Sequence, residues 1–106
     1  MQLVQQRQIV LRGVTATGQG QWFPDLGTAP TFHAQVTGTG AVSASITIWA
    51  RNIESGTGLV SLGAITLSGT SGATDAAVTQ FRYMEYMAEV TAISGTGAAV
   101  TVVMAS

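Results

Sequence analysis

The stretch FRYMEYMAEVTAISGTGAAVTVVM, residues 81–104, constrains the fold more than any other part of the chain. Met84, Tyr86, Ala88, Val90 and Ala92 are apolar, whereas Glu85, Glu89 and Thr91 between them are polar and Met87 is the exception. Period two sends successive side chains to opposite faces, the pattern of a half-buried β-strand. From 98 to 104 almost every residue is apolar, as in a strand covered on both faces. Ser94-Gly95-Thr96-Gly97 separates the two arms and predicts a tight turn, hence a terminal hairpin.

The same period recurs upstream. Val42, Ala44, Ile46, Ile48 and Ala50 alternate with Ser43, Ser45, Thr47 and Arg51, and Trp49 falls on the polar side. Phe32, Ala34 and Val36 oppose His33 and Gln35, and Gly38-Thr39-Gly40 predicts a turn between these two strands. Residues 2–12 carry polar side chains on both faces, which suits an edge strand or an extended arm. Residues 13–30 are the least regular, with turn formers at Gly18, Gly20, Pro24, Gly27 and Pro30 and a short strand near 21–23. Residues 59–62 and 64–68 read as two short strands or one bent at Gly63. A loop at 69–74 and a strand near 76–79 follow. A helix over 75–89 is the rival reading, with Asp75 as N-cap and Ala77, Phe81, Met84 and Ala88 at helical spacing. The unbroken alternation from 82 to 92 favours strand.

Short strands at this spacing predict one all-β domain spanning 1–106, an antiparallel β-sandwich of jelly-roll type with about eight strands. Ile46, Ile48, Val90, Val100 and Val102 are expected in its core.

Composition narrows the chemistry. Only 8% of the 106 residues are charged, the net charge is −1, and there is neither a lysine nor a cysteine. Four scattered arginines make no basic stripe for a nucleic-acid backbone, so no nucleic-acid partner is expected. Without cysteine there are no disulfides, thiolate metal ligands or thiol nucleophiles. No apolar run approaches the roughly 20 residues of a membrane-spanning helix. The first residues resemble neither a secretory signal nor a transit peptide, so the chain is expected to stay in the compartment where it is made. So few charges on so apolar a chain suggest that partners cover part of its surface.

No motif dictates a reaction. GTG occurs at Gly38, Gly56 and Gly95, but a dinucleotide fingerprint needs a third glycine and a following helix. Strands follow here, and hairpin turns are the expected role. His33, the single histidine, has no accompanying nucleophile motif, and no metal or cofactor site is expected. Glu85 and Glu89 on one strand would lie roughly 13 Å apart. That exceeds the span of about 5–9.5 Å between glycosidase carboxylates. Trp22-Phe23-Pro24 in a glycine-rich loop, with Trp49 and Tyr83 on faces opposite the core sets, suggest a contact surface, because tryptophan and tyrosine anchor interfaces and stack on sugars.

From Val42 onward the chain resembles small virion proteins of tailed bacteriophages and prophages. The resemblance lies in Val42-Ser43-Ala44-Ser45-Ile46-Thr47-Ile48, in Leu62-Gly63-Ala64-Ile65-Thr66-Leu67-Ser68-Gly69, and in Arg82-Tyr83-Met84. Its most specific part is Val90-Thr91-Ala92-Ile93-Ser94-Gly95-Thr96-Gly97-Ala98-Ala99-Val100-Thr101-Val102. The family's Ser-Asn-Asp-Gly turn and its tryptophan before leucine-glycine are replaced here by Arg51-Asn52-Ile53-Glu54-Ser55-Gly56 and Leu59-Val60-Ser61. The resemblance implies an all-β capsid decoration, or cement, protein on the virion surface, assembled in the host cytoplasm. Its partners would be the major capsid protein and copies of itself, with a trimer ahead of a dimer. It would be neither an enzyme nor a membrane protein. A carbohydrate-binding module of a fibre or capsid exterior is the alternative, with glycans on Trp22, Trp49 and Tyr83. The capsid contact is expected in residues 1–12, including Leu3, Val4, Gln5 and Arg7, and in the loop holding Trp22, Phe23 and Pro24.

Overall fold

A strand of 21 residues, drawn straight, would run about 69 Å at the usual rise. Two strands of that length occur here in a body measuring 42 × 39 × 19 Å, so neither is straight. The computed structural model describes residues 7–25, 30–52, 59–78 and 83–105. They form six strands: β1 (Arg7–Val14), β2 (Gly18–Gln19), β3 (Phe23–Pro24), β4 (Thr31–Arg51), β5 (Val60–Val78) and β6 (Glu85–Ala105). All pairing is antiparallel in one sheet ordered β1-β6-β4-β5, with β2 and β3 continuing beside β6 where β1 leaves it. The described residues contain no helix, and 75–78 and 85–89 are extended, against the rival reading.

The sheet folds over itself. Phe32, near the start of β4, packs edge-on against Tyr86 with ring centroids 5.5 Å apart, although Tyr86 pairs with Ala50 near the end of β4. Eighteen residues of strand separate those two positions, so the sheet must turn back and lay one half on the other. The first layer holds β1 with the halves of β4, β5 and β6 near Thr31, Val78 and Ala105. The second holds β2 and β3 with the halves near Arg51, Val60 and Glu85. The result is a two-layered β-sandwich made from one sheet.

The fold line runs through the glycine motifs. Thr39 pairs with Thr96, so the GTG of β4 lies against the GTG of β6, and the register shifts on both sides of that pair. The line continues into β5, where Gly72 pairs with Thr37, Thr70 with Ala41, and Ser71 has φ 66°. On the other side the chain passes from β1 to β2 between Val14 and Gly18. The predicted hairpin turns at Gly38 and Gly95, and the predicted loop at 69–74, are therefore corners inside continuous strands. Residues 85–105 do not return on themselves. Glycine here lets adjacent strands bend together, a bulge-like device rather than a reversal. This also explains six strands in place of about eight: corners leave β4, β5 and β6 unbroken. The GTG at Gly56 lies outside the described residues.

Gly95 shows the packing need. Its φ of +116° is unfavourable for an L side chain, and an added Cβ would lie 2.7 Å from the Ala41 carbonyl oxygen and from Val42 Cγ1.

Alternation built the core as expected in β4, where every even residue from Phe32 to Val36 and from Val42 to Ala50 is buried. Ile46, Ile48, Val90, Val100 and Val102 all lie in the core. Two departures have local causes. In β6, Tyr86, Ala88 and Val90 face inward, but Ala92 is exposed and Ile93 packs on the core instead. Ser45 pairs with Ala92 and Ile46 with Val90, so Thr91 is an extra residue that flips the face, its hydroxyl donating to the Ser45 carbonyl at 3.2 Å. In β1 the register shift between Ile9 and Leu11 buries both Val10 and Leu11. Residues 7–14 are thus an ordinary edge strand and not an arm.

Candidate functional site

Because the corners join the layers on one side, the other side is an open rim. There β4 ends at Arg51, β5 begins at Val60, and β6 begins at Glu85. The ends of the first layer, Arg7, Thr31, Val78 and Ala105, lie opposite them. Leu59, Val60 and Met84, the exposed large hydrophobic residues among those described, all sit here, Met84 being 66% exposed.

Met84 is held by its backbone: its N–H donates to Asn52 Oδ1 at 2.8 Å and its carbonyl accepts from the Asp25 N–H at 2.9 Å. Its sequence parity pointed inward, but β6 begins only at Glu85, so strand alternation does not extend to it. Tyr83 takes the inner place instead. Its N–H donates to Tyr86 Oη at 2.9 Å, and the two rings meet edge-on at 6.3 Å. Tyr83 therefore caps the core beside Tyr86 and Phe32, a correction to its expected outward position.

The second layer's outer face carries the tryptophans. Phe23 pairs with Tyr86, which places the preceding Trp22 level with Met87, and Met87 pairs with Trp49 across β4. Met87 lies outside the main core cluster yet is buried, so the exception in the alternation is a methionine flanked by two half-buried tryptophans. Arg51 pairs with Glu85 through Nε and Oε1 at 2.7 Å. Its guanidinium also reaches across β6 to lie 4.0 Å from the Trp22 ring centroid, a cation–π contact. Trp49 Nε1 donates to Glu89 Oε1 at 3.0 Å. Glu85 and Glu89 are thus each bound to a neighbour on the sheet surface, an arrangement that fixes side chains.

The remaining predicted contact residues are dispersed. Phe23 is half-buried against the core, Pro24 is exposed in β3, and Arg7 is exposed at the start of β1 on the first layer. Leu3, Val4 and Gln5 lie outside the described residues. The structure brings Trp22 and Trp49 together on one face, and brings Arg7 and Pro24 to the same rim. Sequence reasoning missed Leu59, Val60 and Met84, because only the pairing of β5 and β6 on either side of the end of β4 brings these two strand starts to one place.

Elsewhere, a shallow depression of about 410 Å³ at the corner is lined by Ala41, Val42, Ser43, Ser68, Gly69, Thr70 and Ser94. Ser43 and Ser94 join through their hydroxyls at 2.7 Å, and no charged group lines it. His33 is exposed, and among the described residues no group of three or more His, Asp or Glu side chains could hold a metal.

No family model matches the chain, and no curated protein matches its sequence. Its fold is similar to the crystal structure of the SPBc2 prophage-derived protein YomS, with a TM-score of 0.57 over 97% of this chain and 94% of that one. The chain shares that prophage protein's fold. At 15% identity the likeness is one of fold alone.

Proposed function

We propose that the chain is a structural protein of a phage or prophage virion, a decoration or cement protein that binds the outer capsid and bridges capsomers. The observation that carries this reading is the rim: exposed Leu59, Val60 and Met84, with Arg7 and Pro24, gathered at one end of a sandwich whose Glu85 and Glu89 are tied into its own surface. Apolar groups rimmed by polar ones are the mark of a protein contact. The likeness of fold to a prophage-derived protein supports a phage setting, and the sandwich belongs to the jelly-roll type in this reading. The chain would act without cofactor or catalysis, on the virion surface, after assembly in the host cytoplasm. Its mechanism is mass action. Binding only the assembled lattice stabilises that lattice, by about 2.7 kcal/mol per site at a hundredfold excess over Kd.

The glycan reading draws less support, since Arg51 occupies one face of Trp22 and Tyr83 turns to the core. The test is co-sedimentation with purified capsids of the encoding phage, in parallel with glycan-array binding. The wild-type chain should pellet with capsids. Deletion of residues 1–6, Trp22→Ala and Met84→Asp, each checked for fold by circular dichroism, should weaken pelleting. Glycan binding without capsid binding would replace this reading with its alternative.

A further inference from the structure

The two edges of the sheet differ in kind. The edge formed by β1, β2 and β3 is interrupted twice, carries register shifts within β1, and bears Arg7, Arg12 and Pro24. Bulges, charge and proline are the usual defences of a strand edge against pairing. The β5 edge has register shifts only at Ser61–Gly63 and at the corner Thr70–Gly72, and between them it carries neither charge nor proline; Asp75 is the one charge in the strand. From Thr70 to Gly63 it pairs with β4 through eight successive residues without a register shift. Among the described residues β4 is its one strand neighbour. A long, regular, uncharged edge offers a row of backbone donors and acceptors to another strand.

The sequence of that edge says which strand. Gly63-Ala64-Ile65-Thr66-Leu67-Ser68-Gly69 is palindromic in residue type: glycine, small, aliphatic, threonine, aliphatic, small, glycine. An antiparallel pair formed by two copies about a twofold axis aligns each residue with its mirror position in the segment. Threonine then meets threonine, Ile65 meets Leu67 on the inner face, and Ala64 meets Ser68 on the outer face. Isologous pairing demands such self-complementarity, and the absence of charge removes like-charge opposition across the axis. We infer that this chain forms a twofold dimer by antiparallel β5–β5 pairing centred on Thr66, joining two folded sheets edge to edge. The pairing is a dimer, in contrast to the trimer favoured by the sequence, and it does not depend on the capsid reading.

A chain without cysteine makes the test direct. Sedimentation of the full wild-type chain at tens of micromolar should give a dimer. Thr66→Lys sets two ammonium groups across the axis and should give a monomer at the same concentration, with an unchanged circular dichroism spectrum. Directly opposed residues of an antiparallel pair have Cα atoms about 4.5–5.5 Å apart, within disulfide range. Thr66→Cys should therefore oxidise readily to a covalent dimer, whereas Gln35→Cys, exposed on the other layer, should not. A monomeric wild type, a trimer, a dimer that survives Thr66→Lys, or crosslinking no faster at 66 than at 35 would each overturn the inference.

Discussion

Replacing Gly95 with alanine tests whether the GTG motifs are packed corners or free turns. A residue held at φ +116° with a side chain carries backbone strain of about 1–3 kcal/mol. The new methyl carbon would also stand 2.7 Å from the Ala41 carbonyl oxygen and 2.9 Å from Val42 Cα. Those are backbone atoms in the neighbouring strand, so relief requires the corner of β4 to shift, and overpacking of this kind costs about 1–3 kcal/mol. The sum, about 2–6 kcal/mol, is a large share of the 5–15 kcal/mol that holds an ordinary domain folded. Gly40→Ala is the matched control: φ is +71° but nothing lies within 4 Å of the added carbon, so only the strain of about 1–2 kcal/mol remains. Urea unfolding should show both midpoints lowered with unchanged slopes, and Gly95→Ala lowered further. In thermal melts the Gly95 variant should lose at least about 8 °C, given roughly 4–8 °C per kcal/mol at this size. Equal losses at the two sites would mean that Gly95 is not packed against β4, and the corner argument would fail.

Ile46→Ala removes a fully buried side chain from the middle of β4 and should cost about 2–5 kcal/mol, read as a fall in urea midpoint; no change would mean the β4 register is wrong. Tyr86→Phe leaves the ring in place but removes the acceptor of the Tyr83 N–H, and should cost about 1 kcal/mol by the same measurement. Arg51→Ala breaks both the Glu85 pair and the Trp22 contact, each worth about 1 kcal/mol or less, so chemical denaturation should show a loss below about 2 kcal/mol that shrinks with added salt.

The sequence was most legible where one face meets one environment. Along β4 period two read the core residue by residue, since every odd side chain faces away from the layer beneath. It was least legible at the two GTG motifs, because glycine with positive φ, as at Gly40, Gly95 and Gly97, serves a reversal and a corner equally well. Local chemistry does not distinguish them; the difference lies in whether the neighbouring strand bends at the same level, and Thr39 opposite Thr96 is a tertiary fact. Thr91 failed for a related reason: one extra residue in β6 flips the face, and nothing in Val90-Thr91-Ala92 announces it. Trp22 and Trp49 were legible as outward aromatics, but the pairing that sets Met87 between them needed the register of β3, a strand of two residues.

The rim and the β5 edge together make a further demand on function. A twofold axis through Thr66 reverses strand direction between copies, so the two rims of a dimer point opposite ways. Each rim begins at Val60, six residues from the axis, which separates the two by roughly 40 Å of extended chain. Such a dimer is a two-ended connector, the shape required of a protein that bridges neighbouring capsomers. Binding at one end makes the second contact intramolecular, and linked contacts of this kind typically gain a factor of about 10²–10⁴ over one alone. Thr66→Lys touches no rim residue, yet it should lower apparent capsid affinity by a factor in that range while Thr66→Cys, oxidised, retains it. Titration of capsids with both variants, monitored by co-sedimentation, measures the difference. If the monomeric lysine variant binds as tightly as the covalent dimer, each rim acts alone and bridging by the pair is excluded.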